Sequence, residues 1–348
     1  MTETPPEQLT DSAEYSELIA KSHPELSYSI DPIVGHTFVA NLDIAEPLLP
    51  GLLRQSVELA QRFIPQHLKP RALFIGTPFE PYRQDDVLTG LCSLQDLRPR
   101  LTELQQEHET QCIVMTNISP THQRIRDLLD ANFTLLPSFP DMVINLRPFD
   151  TFNHYLTSLK SADRSSVRRN RRVFLERGYT IQRLKDASEC SQELFEAYLP
   201  FFERAKVKWF PHSQTFFESV TRLGSTTRLF IAYDSNGSIA GFSMGFFNGG
   251  TYHAGRLGVR PDLHHRDRVY FSLLYQFIED AIDLGAENVS LEPTAYRLKR
   301  HLGAHPKPVV NAISGQSLFW KSALALGRPL GHYLLRHLNR LKLLEAHY

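Results

Sequence analysis

The chain of 348 residues has little cysteine, no long apolar run and no net charge. Its cysteines, Cys92, Cys112 and Cys190, stand far apart without a CxxC or CxxH pattern, which argues against a disulfide framework and a structural zinc site. No stretch approaches the run of about 18 apolar residues that a transmembrane helix needs. Lys and Arg together number 38, as do Asp and Glu, so the chain as a whole is not expected to coat DNA.

Several functional signatures are also absent. The first residues are polar and acidic, without the basic and then apolar pattern of a signal peptide, which indicates a cytoplasmic protein. GxxxxGK[ST], GxSxG, HExxH and GxGxxG do not occur, which argues against phosphate-loop, serine-hydrolase, zinc-protease and dinucleotide chemistry. The histidine pairs His264–His265 and His301/His305 have a spacing that a metal could use, but no carboxylate or Cys partner completes a set, so no metal is expected.

What is present is an ordinary globular composition, 42% hydrophobic and 22% charged, in a length that suits two domains. Residues 1–30 are polar and expected to be loosely packed. Residues 31–148 alternate short strands with helical patterns, including a helix through 52–64, and residues 149–315 form a second domain. Residues 316–348 predict a basic amphipathic helix that docks on the core or, alternatively, lies on a membrane surface.

The second domain has the clearer plan. Strands are predicted at 229–233, 239–247 and 252–259, and Asn-Gly turns join them into a meander. Apolar residues at i, i+3 and i+4 then predict one long helix over 270–282, which Gly285 ends, before a strand that begins at Asn288. A strand, a helix and a strand joined this closely form a β-α-β unit, whose strands are parallel.

This meander and crossover, with Leu257-Gly-Val-Arg-Pro-Asp at its centre, resemble the GNAT N-acyltransferase superfamily over roughly residues 228–304. The upstream segments 150–156 and 168–172 are similar to its FemAB-like and CelD-like branch. The resemblance implies an α/β fold of tandem GNAT-like domains, each a mixed, mostly antiparallel sheet with a β-α-β donor-binding unit flanked by helices. It also implies that residues 31–148 are a degenerate copy, and that parallel strands beginning near Tyr252 and Asn288 part to admit a donor.

The activity that the resemblance implies is transfer of an acyl group from acyl-CoA or acetyl-CoA to the amine of a small molecule or peptide. Aminoacyl-tRNA-dependent transfer of the FemAB kind is one alternative, and a non-catalytic binding module that retains the fold is another. The usual glycine-rich phosphate loop at the helix N-terminus is replaced by residues 264–270, which contain no glycine. Usual CoA binding is therefore in doubt, although Arg266 and Arg268 can hold phosphate by charge.

Candidate site residues follow from the same segment. His253 and Glu292 are candidates to accept the ammonium proton, against the alternative that each is simply solvated or hydrogen-bonded. Tyr296 is a candidate to protonate the leaving group, against the alternative of packing in the core. Backbone N–H groups at 257–259, that is at Leu257, Gly258 and Val259, are candidates for contact with the donor and the oxyanion.

Further candidates are basic. Lys299 follows Tyr296 and is a candidate for substrate binding. The arginine-rich segment 164–177 has three alternatives: a solvated helix face, an anion site built by Arg168 and Arg172 for the substrate, or an RNA-binding surface.

Overall fold

The computed structural model describes residues 13–42, 70–78, 94–204, 211–248, 250–263 and 265–315. The helix predicted through 52–64 and the basic helix predicted at 316–348 lie outside these residues. In the described part no helix is long and apolar enough to cross a membrane.

The first sheet has six strands in the order β1-β2-β3-β4-β13-β5. All its neighbours are antiparallel except β3 and β4, which pair in parallel and are connected through helix α2. Its strands are β1 (Ser27–Asp31), β2 (Gly35–Asn41), β3 (Arg71–Ile75), β4 (Cys112–Ile118), β5 (Thr134–Pro137) and β13 (Val310–Gly315). Helices α1 (Ala13–Ser22), α2 (Leu94–Glu107) and α3 (Ile125–Asp130) belong to the same part of the chain.

The second sheet has seven strands in the order β12-β6-β11-β10-β9-β8-β7. Only β10 and β11 are parallel, on either side of helix α8. Its strands are β6 (Asp141–Asn145), β7 (Thr180–Leu184), β8 (Thr227–Tyr233), β9 (Ile239–Asn248), β10 (Thr251–Val259), β11 (Asn288–Ser290) and β12 (His305–Lys307). Its helices are α4 (Phe152–Ser158), α5 (Ser161–Glu176), α6 (Ser191–Arg204), α7 (Gln214–Ser219), α8 (Val269–Asp283) and α9 (Tyr296–His301).

Each sheet therefore contains a meander followed by a β-α-β unit, which confirms the predicted α/β architecture of two mixed, mostly antiparallel GNAT-like sheets. The sheets also exchange one strand each. β6 precedes the boundary predicted at 148 yet pairs with β11 of the second sheet. β13 lies within the second domain predicted at 149–315 yet pairs with β4 and β5 of the first sheet. The last strand of each half thus completes the sheet of the other.

Helix α1 corrects the expectation that residues 1–30 are loosely packed, since residues 13–30 form a helix and most of a strand. Tyr15, Leu18 and Ile19 are buried because their spacing of three and four residues places them on one helix face. The Tyr15 ring meets Phe246 of β9 edge-on, with centroids 5.7 Å apart. Helix α1 is therefore part of a hydrophobic core that includes residues of the second sheet.

The long helix of the second sheet forms for the reason the sequence indicates. Leu273, Phe277 and Ile278 of α8 are buried against the sheet, and each side chain of this size contributes roughly 1.5–3 kcal/mol when fully buried. Gly285 follows the helix at φ 69°, a left-handed conformation that glycine adopts at little cost. The arginine-rich segment 164–177 lies on helix α5 and its C-cap, and the extended residues Leu159 and Lys160 separate it from α4.

Candidate functional site

The centre of the second sheet contains a fork between its two parallel strands. The ladder between β10 and β11 has three rungs, and the last joins His253 to Ser290. β11 ends there, whereas β10 runs on to Val259 and stays paired with β9. We call the point after the His253–Ser290 rung the fork. The ladder thus ends early on the strands beginning near Tyr252 and Asn288, which the resemblance implies should part.

Two glycines shape β10 beyond the fork. The register against β9 shifts between Ala254 and Arg256, so Gly255 is the extra residue of a β-bulge. A Cβ on Gly255 would lie 2.5 Å from the Phe246 ring, and one on Gly258 would lie 2.9 Å from the Ala197 carbonyl oxygen of α6. Gly255 thus lies at the bulge where the Phe246 ring leaves no room for a side chain, and Gly258 is required because α6 packs directly on the strand.

Beyond the bulge, β10 carries the predicted donor-contacting residues Leu257, Gly258 and Val259. They stay in register with β9 on one side, and β11 has already ended on the other. In a strand, backbone N–H groups alternate between the two edges, so part of this segment directs N–H groups toward the fork.

On the other side of the fork, the chain leaves β11 in a strained loop. Glu292, Thr294 and Ala295 have φ values of 64°, 74° and 47°, in the left-handed region that non-glycine residues rarely occupy. The Glu292 N–H donates to the Ser290 hydroxyl over 3.3 Å. Glu292 therefore lies immediately past the fork, two residues from the last rung, and its Oε1 is buried.

The side chain of Lys299, in α9, is hydrogen-bonded to this loop. It is 5% exposed, and its ammonium donates to the carbonyl oxygens of Glu292 and Pro293, each over 2.9 Å. Burial lowers its pKa to about 8, while the carboxylates of Glu292 and Asp141 act in the opposite direction. These two bonds use two of the three N–H donors of the ammonium group.

Tyr296 is in the core. Its ring is 3% exposed and its hydroxyl donates to the Pro140 carbonyl oxygen over 3.0 Å. Burial raises the pKa of this phenol well above its usual range, so the hydroxyl stays protonated. Of the two alternatives for Tyr296, the geometry favours packing.

His253 lies on β10, and Arg266 and Arg268 lie just before α8. His253 is 5% exposed on the last rung, so it reaches the fork together with Glu292. Arg268 precedes α8 at φ 62° with its guanidinium 5.6 Å from the Phe271 ring centroid, and Arg266 is exposed. A buried Asp267 between them accepts a hydrogen bond from Arg177 over 2.7 Å.

The comparison of this chain with known families gives one match. Residues 161–300, which contain the fork, match the family described as acetyltransferase (GNAT) domain. We call residues 161–300 the GNAT domain after this match. The match lies within the predicted second domain of 149–315, and the resemblance drawn from the sequence is confirmed.

Solved structures show the same fold along nearly the whole chain. FemX is similar with a TM-score of 0.56 at 12% identity, over 94% of this chain and 93% of that one. L-PGS from Bacillus licheniformis has a TM-score of 0.55 at 10% identity, over 91% and 97% of the two chains. The C-terminal domain of a putative lysylphosphatidylglycerol synthetase from Agrobacterium fabrum has a TM-score of 0.50 at 12% identity, over 92% and 91%. No curated protein matches the chain in sequence.

The arginines of α5 differ in the contacts that they make. Arg164 donates to the Thr157 and Leu159 carbonyl oxygens, and Arg171 pairs with Glu279 beside the Phe152 ring. Arg168 and Arg172 are exposed, and Arg172 lies 3.6 Å from Glu176 one turn along the helix. The structure thus brings neither Arg168 nor Arg172 to the fork by any contact among the described residues.

The sequence did not single out two residues that hold the GNAT site together. Asp141 of β6 and Ser290 of β11 are 4% and 1% exposed, and the Ser290 hydroxyl donates to Asp141 Oδ1 over 2.7 Å. A carboxylate directly before the apolar run 142–144 was the available signal, because a charge at the start of a buried strand needs a partner. Within the described ranges no three His, Cys, Asp or Glu residues cluster as a metal site would require.

Proposed function

We propose that the chain is an acyltransferase that moves an acyl group from acyl-CoA to an amine of a small molecule or peptide at the fork. The observation that carries the proposal is the end of the β10–β11 ladder at His253–Ser290, inside the segment that matches an acetyltransferase domain. Past this rung, N–H groups of Leu257, Gly258 and Val259 would bind the donor and the oxyanion.

The reaction needs one proton acceptor. The amine nitrogen attacks the thioester carbonyl carbon, a C–N bond forms, the C–S bond breaks, and the ammonium proton has to leave. Glu292 is our choice for this acceptor because the left-handed loop fixes it directly after the fork. His253, on the last rung, is the second candidate.

The departing thiolate has less need of a proton donor than the attacking amine has of a proton acceptor. A thiol has a pKa of about 8.5, so CoA can leave without being protonated in the same step. The bond from the Tyr296 hydroxyl to Pro140 can therefore persist through the reaction. A ribose oxygen is a far more basic leaving group, so an ester donor would need an acid where a thioester does not.

For the donor phosphates, Arg266 and Arg268 are the proposed partners. They precede the start of α8, where Arg268 at φ 62° stands in place of the glycines that let phosphate approach the backbone. Binding would then depend on guanidinium groups rather than on bare backbone. Lys299 would contact the substrate through its remaining N–H.

Aminoacyl-tRNA is the second candidate donor. The observation that favours it is the similarity to FemX and to L-PGS along more than nine-tenths of each chain, at identities that show the fold alone. In that case the exposed Arg168 and Arg172 would contact the nucleic acid. Both donors are made in the cytoplasm, which we keep as the proposed compartment.

The test uses the purified full-length chain. Melting temperature is measured with CoA, acetyl-CoA, long-chain acyl-CoAs and bulk charged or uncharged tRNA, because a ligand that binds the native state raises it. Thiol release is then followed with a panel of amines. We expect stabilisation by a CoA ester, with a shallow salt dependence, and amine-dependent thiol release that the Glu292→Gln variant lacks.

Two outcomes would replace the proposal. Stabilisation by charged tRNA alone, falling steeply between low and physiological salt, would establish the second candidate donor. Binding of either donor without transfer to any amine would support a binding module that retains the fold.

A further inference from the structure

The loop after β11 concentrates backbone strain. Seven non-glycine residues have positive φ in the described part of the chain, and three of them, Glu292, Thr294 and Ala295, fall within four positions. Such conformations persist only where the surroundings impose them. The loop therefore depends on the contacts that hold it.

Those contacts reach the loop at both ends. At its start, Ser290 donates to Asp141 Oδ1 over 2.7 Å and accepts the Glu292 N–H over 3.3 Å. At its end, the Tyr296 hydroxyl donates to the carbonyl oxygen of Pro140, the residue before Asp141. Pro140 and Asp141, the residue before β6 and the first residue of β6, thus contact both ends of the loop.

This anchor comes from outside the GNAT domain. Asp141 lies 20 residues before the first residue of the 161–300 match, on the strand that the first half of the chain contributes to the second sheet. β6 is in register with β11, since Val143 pairs with Ser290. A buried carboxylate is costly unless it is hydrogen-bonded, and here it accepts the Ser290 hydroxyl where β11 ends.

We infer that Asp141 and Ser290 are positioning residues, which hold the left-handed loop 291–295 so that Glu292 stays at the fork. The inference rests on the proposed function for the role of Glu292 but not for the geometry of the loop. The strand exchange then has a functional consequence, because the segment before the GNAT domain supplies the side chain that orders the site.

The first measurement reads the loop directly and needs no activity. Amide hydrogen exchange of the segment 290–299 is followed in the full chain for the wild type, Asp141→Asn, Ser290→Ala and Ser290→Thr. We expect exchange about tenfold faster in the first two variants, from loss of the bonds that oppose local opening, and close to wild type in Ser290→Thr, which keeps the hydroxyl. Ser243→Ala is the matched control, since this buried β9 serine has a hydroxyl without a partner among the described residues.

The second measurement determines whether each substitution changes kcat or KM. Ser290→Ala should lower kcat about tenfold or more with little change in KM, whereas Ser290→Thr and Ser243→Ala should retain it. Ala295→Gly, which relieves the strain at φ 47°, should raise the melting temperature and lower kcat together.

The outcomes separate the two proposals. Unchanged exchange of 290–299 in both Asp141→Asn and Ser290→Ala would overturn the positioning role, as would wild-type kcat in a folded Ser290→Ala enzyme. If Asp141→Asn does not fold, the milder Ser290 variants decide. If the wild type transfers no acyl group, the proposed function fails, while the exchange data still decide whether Asp141 and Ser290 hold the loop.

Discussion

His253 and Ser290 form the last rung that joins β10 to β11, and from that pair onward β10 has β9 as its ladder partner. His253 lies on β10, before α8, and Ser290 lies on β11, after α8. The position of the fork therefore depends on how these two strands pair. The bulge at Gly255 follows within two residues and turns β10 where β11 stops.

The fork predicts which backbone N–H groups of β10 a bound donor protects from hydrogen exchange. Backbone N–H groups of residues 256–259 that point away from β9 should exchange faster than those of 251–253, and a bound donor should slow them. Hydrogen exchange resolved by residue, with and without the CoA ester or tRNA that raises the melting temperature, measures this. Slow exchange of the whole of 251–259 without ligand would contradict an accessible fork.

Glu292 and Tyr296 should respond differently to conservative substitution. Glu292→Gln removes the proposed proton acceptor and should lower kcat by about 10²–10⁴ with a small effect on KM. Tyr296→Phe removes a hydroxyl bonded to Pro140, so it should cost about 1 kcal/mol of stability and leave turnover of a thioester donor within a few-fold. Glu287→Gln, at an exposed ion pair with Arg147, is the matched control. A large loss of kcat in Tyr296→Phe would restore the tyrosine as the acid.

Lys299 should make stability depend on alkaline pH. Its pKa falls from 10.5 in the unfolded chain to about 8, so between these values the unfolded state binds more protons than the folded state. The free energy of unfolding of the wild type should therefore rise, relative to Lys299→Met, by roughly 3 kcal/mol from pH 8 to pH 10.5. Urea unfolding of both proteins across this range measures the difference. Parallel pH profiles would show that the ammonium is not buried in solution.

His23 and His212 should make the fold sensitive to acid. His23 Nε2 lies 3.2 Å from His212 Nδ1, and burial lowers the pKa of both rings, against the opposing effect of Glu25 on His23. Below the unfolded pKa of about 6.5 the unfolded state gains protons that the folded state does not, so stability falls with pH by up to about 1.4 kcal/mol per unit for each ring.

The comparison for this pair is His212→Phe. Phenylalanine keeps the stack on Phe216, where the ring centroids are 3.8 Å apart, but cannot be protonated. The variant should lose less stability than the wild type between pH 6.5 and pH 5, measured by urea unfolding. An equal loss in the two proteins would show that His212 protonates freely in the folded state.

Arg228 and Asp280 form a buried, two-pronged ion pair between β8 and α8, with hydrogen bonds of 3.0 and 2.6 Å. Asp280→Asn should destabilise the chain by about 3–5 kcal/mol because it leaves the guanidinium buried without its counter-charge. The double variant Arg228→Met with Asp280→Leu should recover most of that loss. Urea unfolding at neutral pH compares the three proteins, and an Asp280→Asn loss under about 1 kcal/mol would contradict the burial of the pair.

The sequence by itself determined the local elements and the class of the second sheet. The apolar spacing along α8, the glycine after it and the turns of the meander are short-range features, since each depends on residues a few positions apart. They were sufficient to predict the β-α-β unit, whereas the parting of its strands was implied by the resemblance to the GNAT superfamily. They were not sufficient for α1, because the polar residues that surround Tyr15 and Ile19 conceal a buried face.

The tertiary structure decided what the site residues do. Lys299 was a candidate for substrate binding, and in the structure its buried ammonium group is hydrogen-bonded to the loop after β11. Tyr296 was a candidate acid or a packing residue, and in the structure it is a core residue whose hydroxyl donates to Pro140. Asp141 reaches Ser290 across 149 positions of sequence, and β6 arrives there only through the exchange of strands between sheets. Contacts of that separation depend on how sheets assemble, and no local pattern of residues encodes them.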